Sequence, residues 1–360
     1  MKQRESNLEL LRIVSMFLIV MHHFAIHGCE PWANHFHQGI IDTENIYLIL
    51  LSLGKAAVVA FVLIGAYFLS EKKFKLWRVV NLCLTTFIYS WLIYLILFFC
   101  FPSALKIETI PNVWLPIPIP SNYWFVIAYV YMLLMMPFLN LILDKCSQRQ
   151  VIIIICGLIL FWCILQFVPN SKLDNVDYDF FSTNNYFLLI YLIGGYIRRY
   201  GKLKSFTKSC FLLLITLLIT ELVVFIILNY YSKFYDYLWW ISATNNGPFG
   251  MLIGVPLFLV FKNMHIGYIR FINYVSRSMF GVYLIHDNSF LRDILWKKII
   301  NTAPLADNPG RYFSYGLLIS LSIFAICIII DILKRLIIDP IVTKVAVKGT
   351  RRFLTWSSKK

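Results

Sequence analysis

Residues 12–23 read RIVSMFLIVMHH. An arginine opens the run, two histidines close it, and everything between is apolar or small. Arg12 and His23 are eleven positions apart. On a helix they differ by only about 20° around the axis and by about 16 Å along it. Both therefore look toward the same place, one from each end. Glu9 sits at i−3 from Arg12 and can pair with it. His27 follows His23 at i+4 on the same face, while His22 points about 100° away. The plain alternative is an interfacial Glu9–Arg12 ion pair with His23 capping the helix in water. Ionisable groups inside an apolar span are costly, and three on one face favour a functional stripe. Such a stripe suits either a solute path or a meeting of donor and acceptor from opposite sides. Histidine fits the second, because it takes and returns a proton near neutral pH.

Composition supports a membrane setting. The chain has 360 residues, 59% hydrophobic and only 14% charged, against roughly 25% charged in soluble proteins. Apolar runs approach or exceed the roughly 20 residues that cross a bilayer. About ten spans are expected, at 8–28, 46–69, 79–101, 123–143, 151–169, 185–197, 209–230, 246–262, 278–292 and 312–335. The span 185–197 is short, and 278–292 is polar in its outer half. The fold class expected is an all-α polytopic bundle. No cleaved signal peptide is expected, since Glu9 and Arg12 interrupt the first run. The eight cysteines form no CxxC pair and sit mostly in apolar runs, as packing residues do.

The net charge of +15 reads as topology rather than nucleic-acid binding. Lys and Arg concentrate in MKQR (1–4), EKKFKLWR (71–78), DKCSQRQ (144–150), RRYGKLKSFTK (198–208), KNMHIGYIR (262–270) and the tail. The alternate segments 29–45, 102–121, 170–184 and 231–245 carry almost none. This positive-inside pattern places both termini in the cytoplasm. Lys297, Lys298 and Arg311 break the pattern in 293–311, either solvated or facing an anionic substrate. The proline-rich PNVWLPIPIP (111–120) is expected to be an extended outer loop. Residues 1–345 are expected to form the membrane domain and 346–360 a basic cytoplasmic tail.

Other polar residues within spans are Lys55, Glu221, His286, Asp287, Arg292 and Asp331. Asp331, just before Lys334 and Arg335, reads as an ion pair. Glu221 reads equally as an interhelical hydrogen bond or a functional group. No metal-ligand spacing is recognised, and His35-x-His37 is too isolated to count. No phosphate-binding loop, dinucleotide fingerprint or GxSxG motif is present.

The opening RESNLELLRIVSMFLIVMHHF (4–24) resembles that of the membrane acyltransferase-3 family. Arg4, Glu9, Arg12 and His23 take the places of its early Arg, its carboxylate and its Arg-x10-His pair. FVLIGAYFLSEKKFKLWR (61–78), NYWFVIAYVYMLLMMPFLN (122–140), YLIGGYIRRY (191–200), NNGPFGMLIGVPLFLVFKNM (245–264) and INYVSRSMFGVYLIHDN (272–288) resemble later family segments. Glu9 stands for the usual Asp, Gly65-Ala66 for Ser-Gly, and Lys75 for the first Arg of an Arg-x-x-Arg pair ending at Arg78. Lys lacks the guanidinium fork, so phosphate contact there is expected to be looser. No appended esterase-like domain is expected.

The resemblance implies transfer of an acyl group, usually acetyl, from cytoplasmic acyl-CoA to a hydroxyl of a cell-surface or lipid-linked glycan. A capsule or exopolysaccharide is the acceptor expected, in a bacterial plasma membrane. Acetyl-CoA would be co-substrate, with no metal and no nucleic acid. Arg12, Lys73, Lys75 and Arg78 would hold the donor. His23 would be general base, or alternatively an acyl carrier, with Arg12 and Glu9 completing the catalytic set. His22, His27, Lys55, Trp124, His286 and Arg292 would meet the acceptor. One rival is a transporter or flippase of a lipid-linked glycan, but no internal repeat or paired broken helices are recognised. A glycan polymerase would need a larger outer loop.

Overall fold

The computed structural model describes residues 5–28, 43–102, 120–164, 178–201, 207–230, 244, 247–300, 305 and 308–357. The described residues are helical, with no strand. In chain order the helices are α1 Ser6–Gly28, α2 Thr43–Leu69, α3 Leu76–Cys100, α4 Pro120–Lys145, α5 Gln148–Ile159, α6 Tyr178–Tyr200, α7 Thr207–Tyr230 and α8 Pro248–Asn263. Then follow α9 Arg270–Val275, α10 Met279–His286, α11 Ser289–Asp293 and α12 Pro309–Ser357. Five are long and apolar enough to cross a membrane: α1, α2, α3, the Tyr123–Lys145 part of α4, and Pro309–Pro340 of α12. Three shorter apolar helices occupy Gln148–Cys163, Cys210–Val224 and Phe249–Asn263. Residues 111–119 of the proline-rich stretch and the His35/His37 pair lie outside the described residues, while Pro120 opens α4.

Two expected spans differ in form. The short run 185–197 is the centre of the longer α6, which begins at Tyr178, ahead of the apolar stretch. The expected span 278–292 is not one helix. A 3₁₀ turn at Ser276–Ser278 leads into α10, which stops at His286, and α11 starts at Ser289 before a π-turn at Ile294–Ile299. The cause is local: Asp and Asn compete with the helical backbone for its own hydrogen bonds. Asn288 takes an extended conformation and caps α11, accepting from the N–H groups of Phe290 at 3.0 Å and Leu291 at 3.3 Å. The expected tail 346–360 continues α12 as helix to Ser357.

Backbone freed in a buried setting needs partners inside the protein, and this break has them. Tyr123 donates its hydroxyl to Leu284 O at 3.0 Å and accepts from Asn288 Nδ2 at 2.7 Å. Trp296 Nε1 donates to His286 O at 3.4 Å. Tyr123 can reach because it is itself a non-helical residue near the start of α4.

The helix α2 is the centre of the bundle, with 83% of its apolar window buried against protein. Its polar residues therefore face neighbouring helices. Ser52 donates to Glu221 of α7, so Glu221 is an interhelical link. Asp331 of α12 pairs with Arg335 at 2.8 Å and accepts from Tyr89 of α3, as an ion pair was expected to do.

Basic turns expected on one side of the membrane meet at one end of the bundle. Asn7 Nδ2 donates to Phe261 O and Lys262 O at 3.0 and 3.1 Å, satisfying carbonyls orphaned at the end of α8. Ser6 Oγ accepts from Ile269 N–H and Asn273 Nδ2. Arg198 pairs with Glu71 at 2.8 Å, Arg199 with Asp144 at 2.6 Å, and Lys262 Nζ donates to Gly201 O at 3.1 Å. The chain segments near 6, 71, 144, 200 and 262 thus share one end.

Tyr123→Phe removes the hydroxyl that serves both sides of the break. It is expected to destabilise the protein by about 1–3 kcal/mol, the cost of leaving buried partners unsatisfied. Thermal unfolding in detergent checks this; an unchanged midpoint would show that the hydroxyl does not hold the break.

Candidate functional site

The break sits against the far end of α1 from Ser6. The unbroken helix keeps Arg12, Met16, Ile19 and His23 along one face, as their spacing requires. A cavity of about 170 Å³ opens beside the His23 end. His22, His23 and His27 of α1, Lys55 and Phe61 of α2, Trp124 and Phe125 of α4, and Tyr283, Asp287 and Arg292 beside the break line it. His22, His23, Lys55 and Asp287 are buried, at 5%, 6%, 8% and 2% exposure. Six residues expected to meet an acceptor or do chemistry therefore converge on one hollow: His22, His23, His27, Lys55, Trp124 and Arg292.

Hydrogen bonding sets the histidine tautomers. His286 Nδ1 lies 2.6 Å from Val282 O, one turn earlier on α10. A carbonyl only accepts, so His286 Nδ1 carries the proton and donates. Its Nε2 is then a lone pair, and it lies 2.7 Å from His23 Nδ1. His23 Nδ1–H must donate there. The consequence is a free Nε2 lone pair on His23, on the side of the ring that faces Asp287 at 3.9 Å. His286 is fully buried behind His23 and is absent from the cavity lining. It orients His23 and does not face the hollow, which corrects its expected role of meeting the acceptor.

Asp287 Oδ1 faces three side-chain nitrogens. His27 Nε2 and Arg292 Nη1 are each 3.6 Å away and His23 Nε2 is 3.9 Å away. None is within hydrogen-bond length, and Oδ1 has no hydrogen-bond partner among the described residues. The sequence named Asp287 but gave it no role; its position beside His286 was the available signal. Lys55 Nζ lies 5.7 Å from the centroid of the Trp124 ring. His22, expected to point away, reaches the cavity edge with Nδ1 donating to Leu51 O at 3.1 Å. That placement needs Gly54. A Cβ at Gly54 would fall 2.2 Å from His22 Cβ, so α1 and α2 approach this closely only at a glycine.

Arg12 does not line this cavity. Its guanidinium lies 5.4 Å from the Phe61 ring centroid, on a ring that also walls the cavity. Glu9 accepts from Arg12 Nε at 3.3 Å, the expected i, i+3 pair. One hollow shared by Arg12 and His23 is therefore corrected to two loci with Phe61 between them. The second locus also gathers Tyr129 and Arg78. Tyr129 is within electrostatic reach of both guanidinium groups, and its hydroxyl packs where a Cβ on Gly65 would fall, at 2.5 Å. Arg78 Nη1 donates to Lys73 O at 2.9 Å within the α2–α3 turn. Lys73 and Lys75 are exposed on that turn.

The site thus belongs to a membrane-embedded helical protein with an oriented histidine beside a carboxylate, and a separate arginine locus along the same helix. A family model described as an acyltransferase domain, Acyl_transf_3, matches residues 5–332, and the chain belongs to that family. It is an integral membrane acyltransferase. Neither curated proteins nor solved structures yield a match.

Gly54→Ala is expected to force α1 from α2 at His22 and to cost about 1–3 kcal/mol through overpacking. Acyl transfer should fall with the thermal midpoint. Wild-type values for both would show that the helices tolerate a methyl group there.

Proposed function

We propose that this protein transfers an acyl group, most simply acetyl, from acyl-CoA at the cytoplasmic face of a bacterial plasma membrane to a hydroxyl of a cell-surface or lipid-linked polysaccharide. A capsule or exopolysaccharide is the acceptor of first choice. The observation that carries this reading is the Val282–His286–His23 hydrogen-bond chain, which leaves the His23 Nε2 lone pair beside a carboxylate in a membrane cavity. Family membership supports acyl transfer.

In this reading the acceptor hydroxyl gives its proton to His23 Nε2 as its oxygen attacks the thioester carbonyl. The tetrahedral intermediate then collapses, the C–S bond breaks, and the leaving thiolate takes the proton back from His23. Asp287 stabilises the transient imidazolium, and His286 holds the ring, the base-and-orienter arrangement of acyl transfer. Trp124 offers a face for a sugar ring, with His22, His27, Lys55 and Arg292 around it.

Arg12 and Arg78 serve the donor in this reading. Glu9 occupies Arg12 Nε and turns the two Nη groups to a CoA phosphate, a charge-assisted bidentate contact. Lys73 and Lys75 add charge on the exposed turn. About 16 Å along α1 separates Arg12 from His23, a span for the pantetheine arm to cover past Phe61.

His23→Ala should abolish transfer while the protein still folds, read as loss of the O-acetyl signal in NMR of surface glycan and in labelled acetyl-CoA assays in vesicles. Full residual activity would remove His23 from catalysis. Labelled glycan in wild type separates an enzyme from a glycan transporter.

Arg12→Lys keeps the charge but loses the fork. It should raise KM for acyl-CoA more than it lowers kcat at equal expression. Unchanged donor kinetics would detach Arg12 from donor binding.

A further inference from the structure

We infer that His23, His27 and Asp287 form a preorganised site for a divalent transition-metal ion of the zinc class, whose occupancy competes with acyl transfer. Three donor atoms, one from each residue, lie within 4.8 Å of one another. His23 and His27 stand one turn apart on α1, the i, i+4 spacing that points two imidazoles at one ion. Asp287 comes from the helix break opposite, with Oδ1 3.6 Å from His27 Nε2 and 3.9 Å from His23 Nε2. Bonds of about 2.0–2.2 Å in a tetrahedral zinc site put neighbouring donors about 3.4 Å apart. Closing the observed gaps needs only small side-chain rotations.

Independent features point to a ligand here. Asp287 is 2% exposed, its Oδ1 has no hydrogen-bond partner among the described residues, and it lines the cavity. His23 already presents a lone pair at Nε2, because its Nδ1–H donates to His286 Nε2. His286 is in turn fixed by Val282 O. An N–H held by a second group behind a ligating imidazole is the usual support of a metal histidine. The cavity leaves a fourth position open, as in three-ligand zinc sites. Arg292, 3.6 Å from Asp287 Oδ1 and partly exposed, opposes a cation and must swing away. The expected affinity is therefore moderate and reversible.

The competition rests on the reading of His23 as base: a metal on Nε2 takes the lone pair that would accept the hydroxyl proton. The binding does not rest on it. The test uses full-length, tag-free protein in detergent, titrated with Zn²⁺ by calorimetry and with Co²⁺ by visible absorption, without donor or acceptor. One ion per chain and tetrahedral cobalt bands are expected. His27→Gln and Asp287→Asn, each checked for an unchanged unfolding midpoint, should weaken binding by more than about tenfold, since outer-shell losses alone cost about 10–100-fold. No saturable binding, or binding indifferent to both variants, overturns the site. Zinc should also suppress acyl transfer reversibly on chelation. Bound zinc with undiminished transfer overturns the competition and the base reading while the binding result stands.

Discussion

A helix that stops inside a protein must find partners for its freed backbone groups, and the buried stop at His286 is where this site is built. Tyr123, Asn288 and Trp296 supply those partners. The last turn of α10 before the stop presents both polar residues inward: Asp287 is buried and His286 has its ring against His23. Asp287 itself still lies on the helical path, its N–H donating to Tyr283 O at 3.2 Å; what the break redirects is the chain after it, which brings Asn288 to Tyr123. The break also explains why Asn rather than a longer polar residue stands at 288: its short amide caps the next helix with its oxygen and reaches Tyr123 with its nitrogen.

Much of α1 was legible in the sequence because a single helix obeys one periodicity. The co-facial set of Arg12, His23 and His27 and the Glu9 pair follow from 3.6 residues per turn. The helical class was legible for the same reason, as were the charged turns that gather at one end. What periodicity could not express is contact between elements distant in sequence. His286 and Asp287 lie more than 260 positions from His23, and nothing in their spacing says that one supports the imidazole and the other faces it. His22 was read by angle alone as pointing elsewhere. The angle was right, but the glycine at 54 lets a neighbouring helix come so close that the cavity edge reaches it. Three donors split as His-x3-His and a remote Asp likewise show no ligand spacing to the eye.

The resemblance and the geometry meet at different levels. Family membership covers nearly the whole described chain and speaks to acyl transfer. Tautomer logic, drawn from one carbonyl and two rings, speaks to which nitrogen accepts a proton. Neither depends on the other. The motif singles out His23 by its spacing from Arg12, and the hydrogen bonds describe which of its nitrogens carries the proton.

Phe61, together with Met16 and Ile19, has a bearing on the membrane itself. A continuous file of arginine, water and imidazole from one face to the other would short-circuit the proton gradient that an energised membrane maintains. Between Arg12 and His23 the helix instead presents a thioether and a branched alkyl group, and Phe61 lies across them from α2. These apolar groups wall the hollow on the side toward Arg12, so the imidazole and the guanidinium are not joined by polar side chains along that face of α1.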